Sequence, residues 1–316
     1  MELPNRIKED VFASFTQEPP RPHLGISQLG HECRRKIWLG FRWAIIEEFP
    51  GRILRLFRRG QMEEIAVVAD LRKAGYILEE VLEDQKYIDM GCHVGGSPDG
   101  VISGVTSKKH ILEIKTHNLK SFTDLLNNGV KKSKPEHYSQ MQCYMLGHEL
   151  DRALYFPVCK DNDDIAPERV RLDEAFAKAQ IKRGQGIALS DRMPEPLSTD
   201  PTFWKCKFCP AHDFCFGRKK KPAVNCRTCS HATAKPEGYW YCERWKSQLP
   251  EEGQRVGCRS HVIHPDLLPE DTKIEEHSEW SVKYNGVLVG EEGVSSQEYL
   301  DYGPEAIANM FGGKVK

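Results

Sequence analysis

One early cysteine, Cys33, stands far from the cysteines that match it, Cys206, Cys209 and Cys215, and this separation constrains the fold more than any other feature. A Cys-x2-Cys-x5-Cys group late in the chain and a lone cysteine near its start suit a single metal centre. Such a centre brings the two ends of a domain together. The chain has eleven cysteines, most of them bunched late in two tight groups. With no apolar signal segment at the start, metal ligation fits them better than a disulfide scaffold. Cys92, Cys143 and Cys159 lie outside the groups among apolar neighbours and read as buried small hydrophobes.

At 316 residues the chain has room for one large core and a smaller satellite. Its 45 basic and 46 acidic residues nearly cancel, so any surface for nucleic acid must be a local patch rather than a global field. No run approaches the roughly 18 apolar residues of a membrane helix. The expected location is therefore the cytoplasm, without membrane contact.

Residues 1–26 carry Pro19, Pro20 and Pro22 and little periodicity, which predicts an extended lead-in. Helical spacing of apolar residues follows over 30–46 and 53–74, separated by Pro50 and Gly51. Short β-rich runs at 76–81, 86–94, 100–105 and 110–114 predict a mostly antiparallel sheet. Helices are expected over 121–128, 135–150 and 173–189, with a strand at 152–158. The segment 218–224 reads as a basic linker, and Asn285-Gly286 between alternating runs signals a hairpin.

Within the β-rich part lie Gly96-Ser97-Pro98-Asp99-Gly100 and Glu113-Ile114-Lys115. Two carboxylates and a lysine are what metal-assisted phosphodiester hydrolysis requires: the acids hold a divalent cation, and the lysine orients water and offsets phosphate charge. A hairpin can bring Asp99 and Glu113 to one sheet edge, and the period of two puts Glu113 and Lys115 on one face. Glu64, in Gly60-Gln61-Met62-Glu63-Glu64, interrupts an otherwise largely apolar helix face, whereas Glu63 shares its side with Arg59 and Asp70. Gln140 and Tyr144 are one helical turn apart and point the same way, although a tyrosine there also suits a core.

These strings resemble the PD-(D/E)XK nuclease superfamily, and Gln140-x3-Tyr144 resembles its RecB-like branch. The resemblance implies an α/β (α+β) restriction-endonuclease-like core, a mixed sheet flanked by helices. It also implies Mg2+ or Mn2+ held by Asp99, Glu113 and Glu64, with Lys115 and Gln140 acting on water or phosphate and Tyr144 in support. Cys33-Arg34-Arg35-Lys36-Ile37-Trp38-Leu39 resembles the opening of RecB-like nucleases with an iron-sulfur cluster. For Cys33, Cys206, Cys209 and Cys215 the resemblance implies a [4Fe-4S] cluster. Ligand chemistry by itself leaves zinc open, with His212 completing the late trio.

Cys226, Cys229, Cys242 and Cys258 form a second set with zinc-site spacing, in which His231 or His261 can stand in for one cysteine. The expected organisation is a nuclease domain over 27–217, a zinc module over 225–265, and a hairpin with tail over 266–316. The strings also resemble lambda-type phage recombination exonucleases. The implied activity is a DNA exonuclease that processes ends, with a recombination or single-strand annealing protein as partner. The alternatives are trimming of captured DNA, as in CRISPR-associated RecB-like nucleases, and a non-catalytic DNA-binding adaptor. Polarity, strandedness and oligomeric state are not written in the sequence.

Overall fold

The strand His110–His117 is the spine of the first of two compact units. A computed structural model describes residues 3–217 and 220–310. The first unit comprises residues 1–31 and 48–185, the second 32–47 and 186–316.

In the first unit five strands form one mixed sheet, in the order Ile77–Glu79, Gly100–Ser103, His110–His117, Arg152–Cys159, Glu168–Arg171. His110–His117 pairs antiparallel with Gly100–Ser103 and parallel with Arg152–Cys159. The parallel pair needs a long crossover, and the helices Leu119–Ser133 and Pro135–Gly147 supply it. On one face Leu112, Ile114, Leu154, Phe156 and Val158 pack with Val67, Val68 and Leu71 of the helix Gly51–Lys73. Alternation along the strands turns Glu113, Lys115 and Tyr155 away from that core. The expected α/β class, a mixed sheet flanked by helices, is the one observed.

Two expectations are corrected in this unit. The lead-in is not extended throughout: Leu3–Ala13 is helical, with Pro4 in its first turn, where a missing N–H costs nothing. None of its residues is buried, which is why the core-forming pattern did not mark it. The run 86–94 does not join the main sheet. It breaks at Gly91, Cys92 and His93, all with positive φ, into Ile88–Asp89 and Val94–Gly96. These pair with each other and with Leu24–Gly25 in a separate small sheet.

The second unit contains the helix Arg34–Phe41 and the late cysteine groups. The division thus departs from a single unit over 27–217. The reason is visible in what residues 32–47 bury: Trp38, Trp43 and Arg42 pack with Trp240 and Arg227, each at most 3% exposed. The Arg227 guanidinium lies 3.6 Å from the Trp43 ring centroid, and that of Arg42 lies 4.7 Å from the Trp38 centroid. Two three-stranded sheets complete the unit, Ala232–Ala234 with Trp240–Cys242 and Ser247–Leu249, and Ile274–Ser278 with Ser281–Tyr284 and Val287–Gly290. The last two strands form the expected hairpin, with Asn285 and Gly286 at φ 50° and 80° in its turn.

Arg218 and Lys219 of the basic linker, and 311–316 of the tail, lie outside the described residues. The rest of the linker is anchored within the second unit: the Ala223 N–H donates to the Ala44 carbonyl at 2.8 Å, and Lys221 pairs with Asp301 at 3.3 Å. No helix among the described residues is long and apolar enough to cross a membrane. Leu112 is fully buried in the first core, so Leu112→Ala is expected to cost about 2–5 kcal/mol. Urea denaturation followed by circular dichroism checks this, and a loss below about 1 kcal/mol would contradict the packing described.

Candidate active site

The register of one hairpin assembles the centre of the site. Gly100 pairs with Leu112, so Asp99, one residue before its strand, comes beside Glu113. Asp99 Oδ2 accepts the Ile114 N–H at 2.7 Å, which fixes the carboxylate against the strand edge. Lys115 Nζ donates to Glu113 Oε1, lies 3.7 Å from Asp99 Oδ2 and donates to the Ile114 carbonyl at 3.2 Å. The three residues singled out in the two short strings therefore meet. The strand that follows Asp99 must start with glycine: Gly100 has φ +151°, and a Cβ there would lie 2.4 Å from Val81 Cγ1.

Burial sets the electrostatics. The Glu113 side chain is 0% exposed, and burial raises its pKa, with Asp99 and Glu64 adding to the rise and Lys115 opposing it. Burial also works to lower the Lys115 pKa, but Glu113 and Asp99 outweigh it and hold the ammonium charged. Glu64 belongs to the same electrostatic cluster. Burial pushes its carboxyl up to about 7, the Asp99 carboxylate adds to the rise, and Lys115 and a 2.7 Å hydrogen bond from Gln85 oppose it.

Gln140 and Tyr144 are buried on the helix Pro135–Gly147, with the Gln140 side chain hydrogen-bonded to Tyr144. Burial raises the Tyr144 pKa, and the Glu113 and Asp99 carboxylates raise it further, so this phenol stays protonated beside the acids. The backbone at Gly96 passes close to the Tyr144 hydroxyl, where a Cβ would come within 2.9 Å.

Sequence reasoning missed a hydrogen-bonded row beside Lys115. The Tyr155 hydroxyl lies 2.8 Å from His117 Nε2 and 2.7 Å from His137 Nδ1, and His117 Nδ1 lies 3.0 Å from Ser121 Oγ. Burial first, then nearby lysines including Lys115, depress the two imidazoles to about 4 and about 3. Both are neutral near pH 7, so one ring donates to the phenol oxygen and the other accepts from it. The signal was present: His117 extends the period-two face of Glu113 and Lys115, and His137 lies one turn before Gln140.

A divalent cation is tested against these residues by one atom. Glu113 Oε2 is buried without a hydrogen-bond partner, which costs free energy unless something positive reaches it. That orphan and the adjacent Asp99 suit an oxygen-seeking cation. As the side chains stand, however, no group of three His, Cys, Asp or Glu among the described residues is arranged to hold an ion. Binding would therefore require side chains at the site to move.

In the second unit Cys33, Cys206, Cys209 and Cys215 line one small pocket with Pro196, Leu197 and Phe216, and none of the four is in a disulfide. Cys33 caps the helix Arg34–Phe41, and the Lys36 N–H donates to its Sγ at 3.5 Å. His212 has both ring nitrogens engaged, with Asp213 at 3.0 Å and the Pro201 carbonyl at 3.2 Å. Either nitrogen would have to give up its contact before His212 could bind a metal.

No family model matches the sequence, and no curated protein matches it. Solved structures with similar arrangements include LHK-Exo in complex with dAMP, an alkaline exonuclease from Laribacter hongkongensis, at 20% identity and a TM-score of 0.41 over 57% of this chain and 90% of that one. SSO0001 is similar at 18% identity and a TM-score of 0.39, over 68% and 95%.

The raised Glu64 pKa carries a consequence for metal-free protein. The folded state holds a proton that the unfolded chain releases above its ordinary value of 4.5, so this group's contribution to stability falls as pH rises from 4.5 through about 7. Glu64→Gln is expected to remove that component, read as a melting-temperature difference between variant and wild type that grows with pH under chelation. A difference independent of pH would contradict the assignment.

Proposed function

We propose that this chain is a divalent-metal-dependent deoxyribonuclease. The observation that carries the reading is the convergence of Asp99, Glu113 and Lys115 at one sheet edge, beside an unpartnered buried oxygen of Glu113. Glu64, Asp99 and Glu113 are the residues that would hold Mg2+ or Mn2+. When bound, such an ion supplies Lewis acidity toward the phosphate and lowers the pKa of water.

The chain's own residues provide the rest. Lys115, kept charged by its two acids, orients the attacking water and faces charge that develops on the phosphate. Gln140 can hydrogen-bond water or phosphate, and Tyr144 holds Gln140 in place. The neutral row His137–Tyr155–His117 forms an uncharged wall beside Lys115. Action at DNA ends, as an exonuclease, follows from the likeness of Gly60-Gln61-Met62-Glu63-Glu64 and Ser97-Pro98-Asp99-Gly100 to lambda-type recombination exonucleases. A recombination or single-strand annealing protein is the corresponding partner.

Cys33, Cys206, Cys209 and Cys215 are read as ligands of a [4Fe-4S] cluster. Four cysteines outside any disulfide, lining one pocket, support it, as does the likeness of 33–39 to iron-sulfur RecB-like nucleases. Its role is structural, fixing the helix Arg34–Phe41 to the segment 206–215 within its unit.

The test is nucleotide release from linear duplex and single-stranded DNA with Mg2+ or Mn2+. Lys115→Ala is expected to slow hydrolysis by about 10²–10³-fold with unchanged circular dichroism, and chelation to abolish it. No metal-dependent cleavage of any DNA by pure, metal-loaded protein would overturn the proposal.

A further inference from the structure

The second cysteine set takes no part in the chemistry proposed above, yet the fold gathers it. Cys226, Cys229, Cys242 and Cys258 all line one cavity of about 230 Å³ within the second unit, and none is in a disulfide. Cys226 and Cys229 flank a single 3-10 turn capped by Asn225, whose side chain accepts the Arg227 N–H at 2.9 Å. Cys242 ends the strand Trp240–Cys242, opposite Ala232 and Ser247. Cys258 follows the short helix Glu251–Gln254. The His231 N–H donates to Cys229 Sγ at 3.5 Å, a contact that suits a thiolate.

The surroundings say why something must bind there. The sheet beside the cavity has three-residue strands, and its buried residues are Ala232, Ala234, Trp240 and Cys242, too little aliphatic surface to hold such a module by itself. The two alternative ligands are separable. His261 has both nitrogens engaged, with Ser296 Oγ and the Asn225 carbonyl, each at 2.9 Å. His231 lines the cavity with its ring edge-on against Trp280, centroids 5.6 Å apart, and its Nε2 is buried without a hydrogen-bond partner, so it is the alternative that the variants below separate from the four sulfurs.

We infer that Cys226, Cys229, Cys242 and Cys258 hold one zinc ion, and that this ion braces the helix carrying Cys33. Zinc takes four sulfurs at about 2.3 Å in a tetrahedron. The side chains must close inward to reach that geometry, since no three ligands are yet so arranged. In closing, Cys226 gives up its contacts to the Gly253 and Val256 carbonyls at 3.4 and 3.3 Å.

The brace runs through Arg227, which sits between the first two sulfurs and is 1% exposed. Its guanidinium stacks on Trp43 and donates to the Phe41 carbonyl at 2.8 Å, while Arg42 donates to the Arg227 carbonyl at 3.1 Å. Asn225 Nδ2 donates to the Trp43 carbonyl at 3.1 Å. The zinc turn is thus bonded to the C-terminal end of the helix whose N-cap is Cys33.

The experiment measures zinc and iron per full-length chain after anaerobic purification, with no nuclease assay, so its outcome is independent of the activity proposed above. Wild type is expected to carry about one zinc. Cys229→Ser and Cys258→Ser should each lose it, and His231→Gln should keep it. Cys209→Ser should lose iron but retain zinc, whereas Cys229→Ser should also lower iron occupancy. Titration of chelator-stripped wild type with cobalt(II) should give the intense charge-transfer absorption of tetrahedral thiolate ligation, abolished by added zinc, and does not depend on any variant folding. Zinc-free wild type that gives no such cobalt spectrum, wild-type zinc in Cys229→Ser, or iron in place of zinc at this set overturns the site. Unchanged iron in zinc-free Cys229→Ser overturns the brace.

Discussion

A carboxylate with no exposure to water, Glu113, is the constraint around which the first unit is organised. An isolated buried charge is costly, and the fold answers it with the Lys115 ammonium on the same strand face, which also reaches the Asp99 carboxylate on the neighbouring strand edge. Because Glu113 is buried, the neighbouring charges of Lys115 and Asp99 alter its proton affinity, in opposite directions. The arrangement leaves one Glu113 oxygen without a partner. The cation proposed for this site would give that oxygen its partner.

The second unit meets a different problem, how to fix residues 32–47 against segments far along the chain. Its answer is to bury arginines between indole rings, with Arg227 and Arg42 satisfied by backbone carbonyls of Phe41 and Ser190. Desolvation lowers both guanidinium pKa values, Arg227 to about 9 and Arg42 to about 10. Stacking and multiple donated hydrogen bonds hold them in place. Metals bound in the two cysteine pockets, as proposed, would add to the same end.

Much of the first unit was legible because its elements obey short-range rules. The helices Gly51–Lys73 and Pro135–Gly147 follow apolar spacing, and Glu113 and Lys115 share a face by strand alternation. The helix Leu3–Ala13 was not legible, because a helix that buries nothing leaves no mark in a pattern search aimed at cores. The break at 91–93 was hidden because Cys92 and His93 adopt positive φ without being glycine. The pairing of His117 and His137 through Tyr155 joins three elements, and no local pattern encodes the register that aligns them.

The sequence by itself determined the chemical inventory: two acids and a lysine at hairpin spacing, a Gln-x3-Tyr helix, and two cysteine sets of different spacing. It did so because ligand type and local periodicity are properties of neighbouring residues. Only the tertiary structure decided that residues 32–47 belong with the late segments and not with the sheet. That choice rests on the burial of Trp38, Arg42 and Trp43 against Trp240 and Arg227, contacts between residues distant in the chain. It makes Cys33 a member of the unit that holds all the other late cysteines, while Asp99, Glu113 and Lys115 stand in the other.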